Sequence, residues 1–211
     1  MSNSAAVIGD PNNRIVVEDT SSTTLVASGT ISISDANAGQ AAFKTSVISA
    51  SGNLGTLILA SNGSYTYSVA DSAVQYLGTG DTKTDTFTVT SVDGTTKKVT
   101  FLIQGVDDAA VIGNPTVHDV TEDASKPTLT ASGTISISDA DQGEAAFQTS
   151  VTAASGNLGT LKLSANGSYT YSVADSAVQY LGAGDTKVDT FMVTSAGGTT
   201  KQISTALSAT E

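Results

Sequence analysis

The chain repeats itself. Sliding the sequence past itself by about 104 residues lays the AVIG that starts at Ala6 on the AVIG at Ala110, without a gap. In the same register ASGTISISD from Ala27 falls on Ala131, and TYSVADSAVQYLG from Thr66 falls on Thr170. About two-thirds of the aligned positions are identical, so the 211 residues must fold as two copies of one domain. The expected domains are 1–106 and 107–211. The match fades after Lys201, where KVTFLIQGVD at 98–107 meets QISTALSATE at 202–211.

Within each copy the apolar residues alternate: Ile31 and Ile33, Leu57 and Leu59, Tyr65, Tyr67 and Val69, Phe87 and Val89, Val99, Phe101 and Ile103. A period of two marks strands buried on one face. Asn62-Gly63 and Asp93-Gly94 fall between such runs, where a tight turn needs a positive φ that Gly, Asn and Asp tolerate. Their counterparts are Asn166-Gly167 and Gly197-Gly198. Only residues 71–77 (DSAVQYL) suggest a helical turn. About seven short strands per copy predict an all-β fold: two tandem antiparallel sandwiches of immunoglobulin or cadherin-like type.

Charge and composition remove several functions. There are 20 acidic residues against 9 basic ones, a net charge of -11, so no basic face exists to neutralise phosphates, and nucleic acid is excluded as an expected partner. Anionic membranes are disfavoured for the same reason, and no apolar run is long enough for membrane insertion. Without cysteine there is no thiolate chemistry, disulfide framework or zinc knuckle, so any metal must be held by oxygen.

In an A-to-G sandwich, alternate loops gather at the same pole, so loop position predicts which acids meet. Strand B, expected over 29–34, leaves Asp35 and Asn37 at the N-terminal pole of the first copy and Asp139 and Asp141 at that of the second. The linker 105–110 (GVDDAA) adds Asp107 and Asp108. Strand F is expected to begin at the C-terminal pole with Asp81 and Asp85, and Glu18 and Asp19 to reach the same junction along strand A. Such a convergence repels itself unless compensated. A Ca2+ ion with six to eight oxygen ligands resolves it, Asp-x-Asp supplying two from one loop. The alternative is a set of solvated turn and cap residues.

The run 105–112 (GVDDAAVI), Glu18-Asp19 and Glu122-Asp123 in matching contexts, Asp139-Ala140-Asp141, the NGSYTY at 62–67 and the TDTFTVT at 84–90 resemble the VCBS or cadherin-like repeats of bacterial secreted adhesins. That resemblance implies junction calcium held by Glu18, by Asp107 and Asp108, and by Asp139 and Asp141. The two-copy chain is also similar to the Rhizobium-adhering (Rap) lectins, which implies calcium-dependent binding of the producing bacterium's acidic extracellular polysaccharide, by a monomer, in cell adhesion or biofilm matrix. The alternative is a pair of calcium-stiffened extender domains from a large adhesin. Either family implies a secreted, extracellular protein exported without an N-terminal signal peptide, by type I secretion, with the divergent 204–211 (STALSATE) as a candidate signal. Asn37, in place of the second acid of Asp-x-Asp, predicts a weak or absent site in the first copy.

Enzymatic function is not expected, because the acids recur at pole loops of a small sandwich without a deep cleft. Among the tyrosines, Tyr65 and Tyr67 share the parity of Val69 and belong to the core. Tyr76 and Tyr180 are the freer candidates for ligand contact.

Overall fold

The computed structural model describes residues 3–18, 21–122 and 125–209. The chain divides into two compact units, Met1–Asp107 and Asp108–Glu211, with the division one residue beyond the expected one. Each is a two-sheet sandwich, as the alternation predicts.

Unit 1 comprises β1 (Val7–Pro11), β2 (Ile15–Val17), β3 (Thr24–Ser34), β4 (Ile48–Ser49), β5 (Thr56–Leu59), β6 (Ser64–Ala70), β7 (Thr82–Thr90) and β8 (Thr96–Gln104). One sheet has the order β1-β3-β6-β5 and the other β2-β8-β7-β4. The first strand is thus split: β1 pairs antiparallel with β3, then the chain crosses and β2 pairs parallel with β8. Tyr65 fixes the crossing. Its hydroxyl donates to the Asn13 carbonyl and accepts from the Asn13 N–H at 3.0 Å. Strand β3 is longer than the expected 29–34, because Leu25 and Ala27 keep the inward parity and are buried with the core.

The β5–β6 hairpin places its positive φ on Gly63 (88°), while Asn62 accepts the Ser64 N–H through its side chain at 3.0 Å. A Cβ at Gly63 would lie 2.3 Å from the Ile31 carbonyl oxygen, so space as well as φ requires glycine. The core joins both sheets around Tyr67 and Phe101, whose rings stack with centroids 4.5 Å apart, with Phe87 edge-on to each.

Unit 2 repeats this with β9 (Val111–Pro115), β10 (Asp119–Thr121), β11 (Thr128–Ser138), β12 (Thr152–Ala153), β13 (Thr160–Leu163), β14 (Ser168–Ala174), β15 (Thr186–Thr194) and β16 (Thr200–Ser208). Its sheets are β13-β14-β11-β9 and β10-β16-β15-β12. Strand β16 forms where the sequence match fades, because Ile203, Thr205 and Leu207 preserve the inward parity of Val99, Phe101 and Ile103. The first five residues of the candidate secretion segment 204–211 are therefore a sandwich strand, paired to both β15 and β10. The core is less aromatic: Thr205 stands where Phe101 does, and Tyr171 meets Phe191 at 6.0 Å.

Candidate functional site: an acidic loop end in each unit

At the start of unit 2, the loop that follows β11 carries Asp139, Asp141 and Glu144. The Asp141 N–H donates to Asp139 Oδ1 at 3.0 Å, which curls the loop as an Asx turn. Asp141 Oδ2 in turn accepts the Asp108 N–H at 2.7 Å, so the first residue of the unit is tied to this loop. Gly143, at φ 91°, reverses the chain, and the Glu144 N–H reaches the Asp141 carbonyl at 3.2 Å. Carboxylate oxygens of Asp141 and Glu144 come within 4.8 Å of each other. The parity of β11 explains the placement: the strand buries Ile135 and ends beside β9, next to the point where the unit begins.

The electrostatics of this loop are unusual. Asp141 is only 3% exposed, and its Oδ1 is buried without a hydrogen-bond partner; Asp139 Oδ2 is in the same state. An ionised carboxylate taken out of water costs roughly several kcal/mol unless a positive charge compensates it. Asp108, Asp139, Asp141 and Glu144 offer carboxylate oxygens, the ligand type of a hard divalent cation. The residues fit calcium: Asp108, Asp139, Asp141 and Glu144 would hold it.

Glu144 is the residue that sequence reasoning missed. It sits three positions after Asp141 in the same loop, and its counterpart Gln40 draws attention to it only once the loops are superposed by the repeat. The matching loop of unit 1 has the same backbone arrangement with less charge. Ser4 N–H donates to Asn37 Oδ1 at 2.8 Å, and Asn37 N–H donates to Asp35 Oδ1 at 2.7 Å. Three positions differ by acid against uncharged partner: Asp108 against Ser4, Asp141 against Asn37, Glu144 against Gln40.

At the other end of unit 1, Glu18 is 3% exposed and its Oε2 accepts the Val106 N–H at 3.0 Å. Asp107 is exposed, its N–H bonded to Thr79 Oγ1 at 3.1 Å. Asp81 is exposed on the preceding turn, where its carbonyl accepts the Gly105 N–H at 3.0 Å. These three belong to the same end of the unit. Asp19 lies outside the described residues.

Asp85 requires a correction. It was expected at the pole, but it is fully buried in β7 between the sheets. Its carboxylate accepts the Leu54 N–H at 3.0 and 3.1 Å, the Gly55 N–H at 2.6 Å and the Tyr67 hydroxyl at 2.9 Å. The reason is parity: Asp85 shares its face with Phe87 and Val89, so the strand carries it inward. Asp189 does the same in unit 2 with Leu158, Gly159 and Tyr171. Burial, and then the adjoining carboxylate, raises the Tyr67 and Tyr171 phenols far above their usual range, so both hydroxyls stay protonated as donors. These acids clamp a loop to the core and are not available to a metal. Tyr76 and Tyr180 are 37% and 64% exposed, free of the core as expected.

Two sandwiches with a split first strand and acidic loop ends define a cadherin-like class. Residues 3–105, which make up nearly all of unit 1, match the family model of the bacterial cadherin-like domain. Among solved structures, the chain is similar in fold to protocadherin gammaB7 EC3-6, with a TM-score of 0.57 and 16% identity over 96% of this chain and 48% of that one. It is also similar to mouse cadherin-23 EC22-24, with a TM-score of 0.55 and 12% identity over 99% of this chain and 67% of that one. At these identities the likeness establishes the fold alone. The chain spans about half the length of the first of these structures. No curated protein sequence matches it.

Proposed function

We propose that this protein is a calcium-dependent extracellular adhesion module, in which Asp108, Asp139, Asp141 and Glu144 of unit 2 hold a calcium ion. The observation that carries the reading is Asp141: a carboxylate 3% exposed, with one oxygen tied to a backbone N–H and the other buried and unpartnered. A divalent cation compensates that charge and uses that oxygen.

The module's ligand, on this reading, is an acidic extracellular polysaccharide. The net charge of -11 opposes such a ligand unless calcium neutralises the protein's acids or accepts a uronate oxygen directly. A second reading, tandem extender domains without a ligand of their own, is favoured by the multidomain cadherin ectodomains to which the fold is similar. Both readings need calcium and an extracellular setting, and neither needs catalysis. The fold is of an adhesion type, not that of an enzyme family.

Calorimetric titration separates them. Extracellular calcium modules bind at about 10⁻⁴ to 10⁻³ M, and binding in that range is expected here. Asp139→Asn with Asp141→Asn should weaken it at least about tenfold, and an unchanged affinity refutes the assignment. Acidic exopolysaccharide should then bind in calcium and not in chelator. Calcium binding without any polysaccharide binding favours the extender reading.

A further inference from the structure

Unit 1 carries a second polar feature that calcium does not explain. A hollow of about 340 Å³ lies between residues 21–23, ahead of β3, and the single 3-10 turn Asp71–Ala73 that follows β6. This volume is at the lower end of the range for small-molecule sites, about 300–1,000 Å³. Its lining is Ser21, Ser22, Thr23, Asp71, Ser72 and Gln75: four hydroxyls, one carboxylate and one carboxamide.

The two walls are tied together. The Asp71 N–H donates to the Thr23 carbonyl at 3.2 Å, and Asp71 Oδ2 accepts Gln75 Nε2 at 2.8 Å. Asp71 is only 7% exposed, so its carboxylate is held in position by the fold. Gln75, with one N–H committed to Asp71, retains a second N–H and an oxygen. Tyr76 follows in the same turn and is exposed.

The repeat separates scaffold from ligand chemistry. Unit 2 keeps the tie: Asp175 N–H donates to the Pro127 carbonyl at 3.1 Å, and Gln179 Nε2 donates to Asp175 Oδ2 at 2.7 Å. Asp71 and Gln75 therefore have a structural role in both copies. Unit 2 keeps two of the four hydroxyls, as Ser125 and Ser176, and loses the other two, since Lys126 and Pro127 replace Ser22 and Thr23. The Ser22 and Thr23 hydroxyls are a property of unit 1 that the fold does not demand.

We propose that this hollow is a saccharide subsite, taking adjacent hydroxyls of a neutral hexose. A sugar hydroxyl both donates and accepts: it can donate to a carboxylate or carboxamide oxygen and accept from a serine or threonine hydroxyl, and all of these line the wall. The lining contains a carboxylate and no cation, which disfavours a uronate here and selects an uncharged residue of the polymer. The inference rests on the polysaccharide-binding reading, and adds where, and which sugar of a mixed polymer, the protein touches.

The test is amide NMR of the full chain in calcium, titrated to tens of millimolar with two neutral probes, cellotetraose and β-1,4-galactotetraose. Saturable shifts at residues 21–23 and 72–76, absent at 125–127 and 176–180, are expected for at least one of them. Ser22→Lys with Thr23→Pro copies the residues that unit 2 already folds with, and should weaken the interaction at least tenfold. Shifts no larger than at the unit 2 positions, or undiminished binding by the double variant, overturn the proposal. Exopolysaccharide that binds the chain in calcium without moving these amides refutes the subsite and leaves the adhesion reading intact. Tetrasaccharide shifts without any binding of acidic exopolysaccharide support the subsite and refute the acidic ligand.

Discussion

Replacing Asp85 by Asn keeps the shape of the side chain and removes its charge, and the structure says what that should do. Three donors converge on this carboxylate: the Leu54 and Gly55 N–H groups and the Tyr67 hydroxyl. A hydrogen bond to a charged group contributes about 1.5–3 kcal/mol, against about 0.5–1.5 for a neutral one. Losing charge assistance on three bonds removes about 3–5 kcal/mol, and the new amide N–H₂ must also face a donor. In a domain of about 100 residues, each kcal/mol moves the midpoint by about 4–8 °C, so unit 1 should melt at least about 12 °C lower. Differential scanning calorimetry reads this as a shift of one of two transitions, with Asp189→Asn shifting the other. Calcium affinity, measured in parallel, should stay within about twofold, a difference below 1 kcal/mol. A variant that loses less than about 1 kcal/mol of stability while its calcium affinity falls tenfold would refute the assignment of Asp85 to the core.

Other expectations follow from the comparison of the two units. Phe101→Thr gives unit 1 the residue that unit 2 carries at Thr205, but leaves Tyr67 without its stacking partner, and should cost about 3–5 kcal/mol in the unit 1 transition; a loss under about 1 kcal/mol would mean that the core closes over the gap. Ser4→Asp, Asn37→Asp and Gln40→Glu together rebuild in unit 1 the acids of unit 2, and should add calcium-dependent stabilisation to unit 1; no gain in calcium would show that oxygen placement and charge at this loop are insufficient. Asp93 accepts hydrogen bonds from Ser91 Oγ, from the Thr95 N–H and Oγ1 and from the Ala6 N–H, and these hold its carboxyl well below the ordinary carboxylate range. Its stabilising contribution is therefore present above the unfolded value of about 3.9 and disappears as pH falls through the folded value. Asp93→Asn should lower the unit 1 midpoint near neutral pH and make progressively less difference in acid; a constant difference across the titration would disprove the linkage.

The duplication, the sandwich and the burial of Tyr65 and Tyr67 were legible because they rest on local patterns. Alternation over five to nine residues fixes which side chains turn inward wherever one face is buried. The same rule already placed Asp85 with Phe87 and Val89, so its burial was visible in the chain and was obscured only by grouping acids by loop. Other features are not local. Glu144 joins Asp141 because Gly143 turns the loop back, and Asp141 Oδ2 finds its backbone donor in Asp108, 33 residues away. Glu18 is enclosed by Val106, 88 residues on, because β2 crosses to run parallel to β8. The hydroxyl hollow exists because residues 21–23 and 71–75, far apart in sequence, are the neighbouring ends of paired strands β3 and β6. A side chain's face follows from its own strand, since the pleat alternates at every residue. Its partners depend on how distant segments close against one another, and that closure sets the burial that makes an unpartnered carboxylate oxygen costly in the apo protein and useful to a cation.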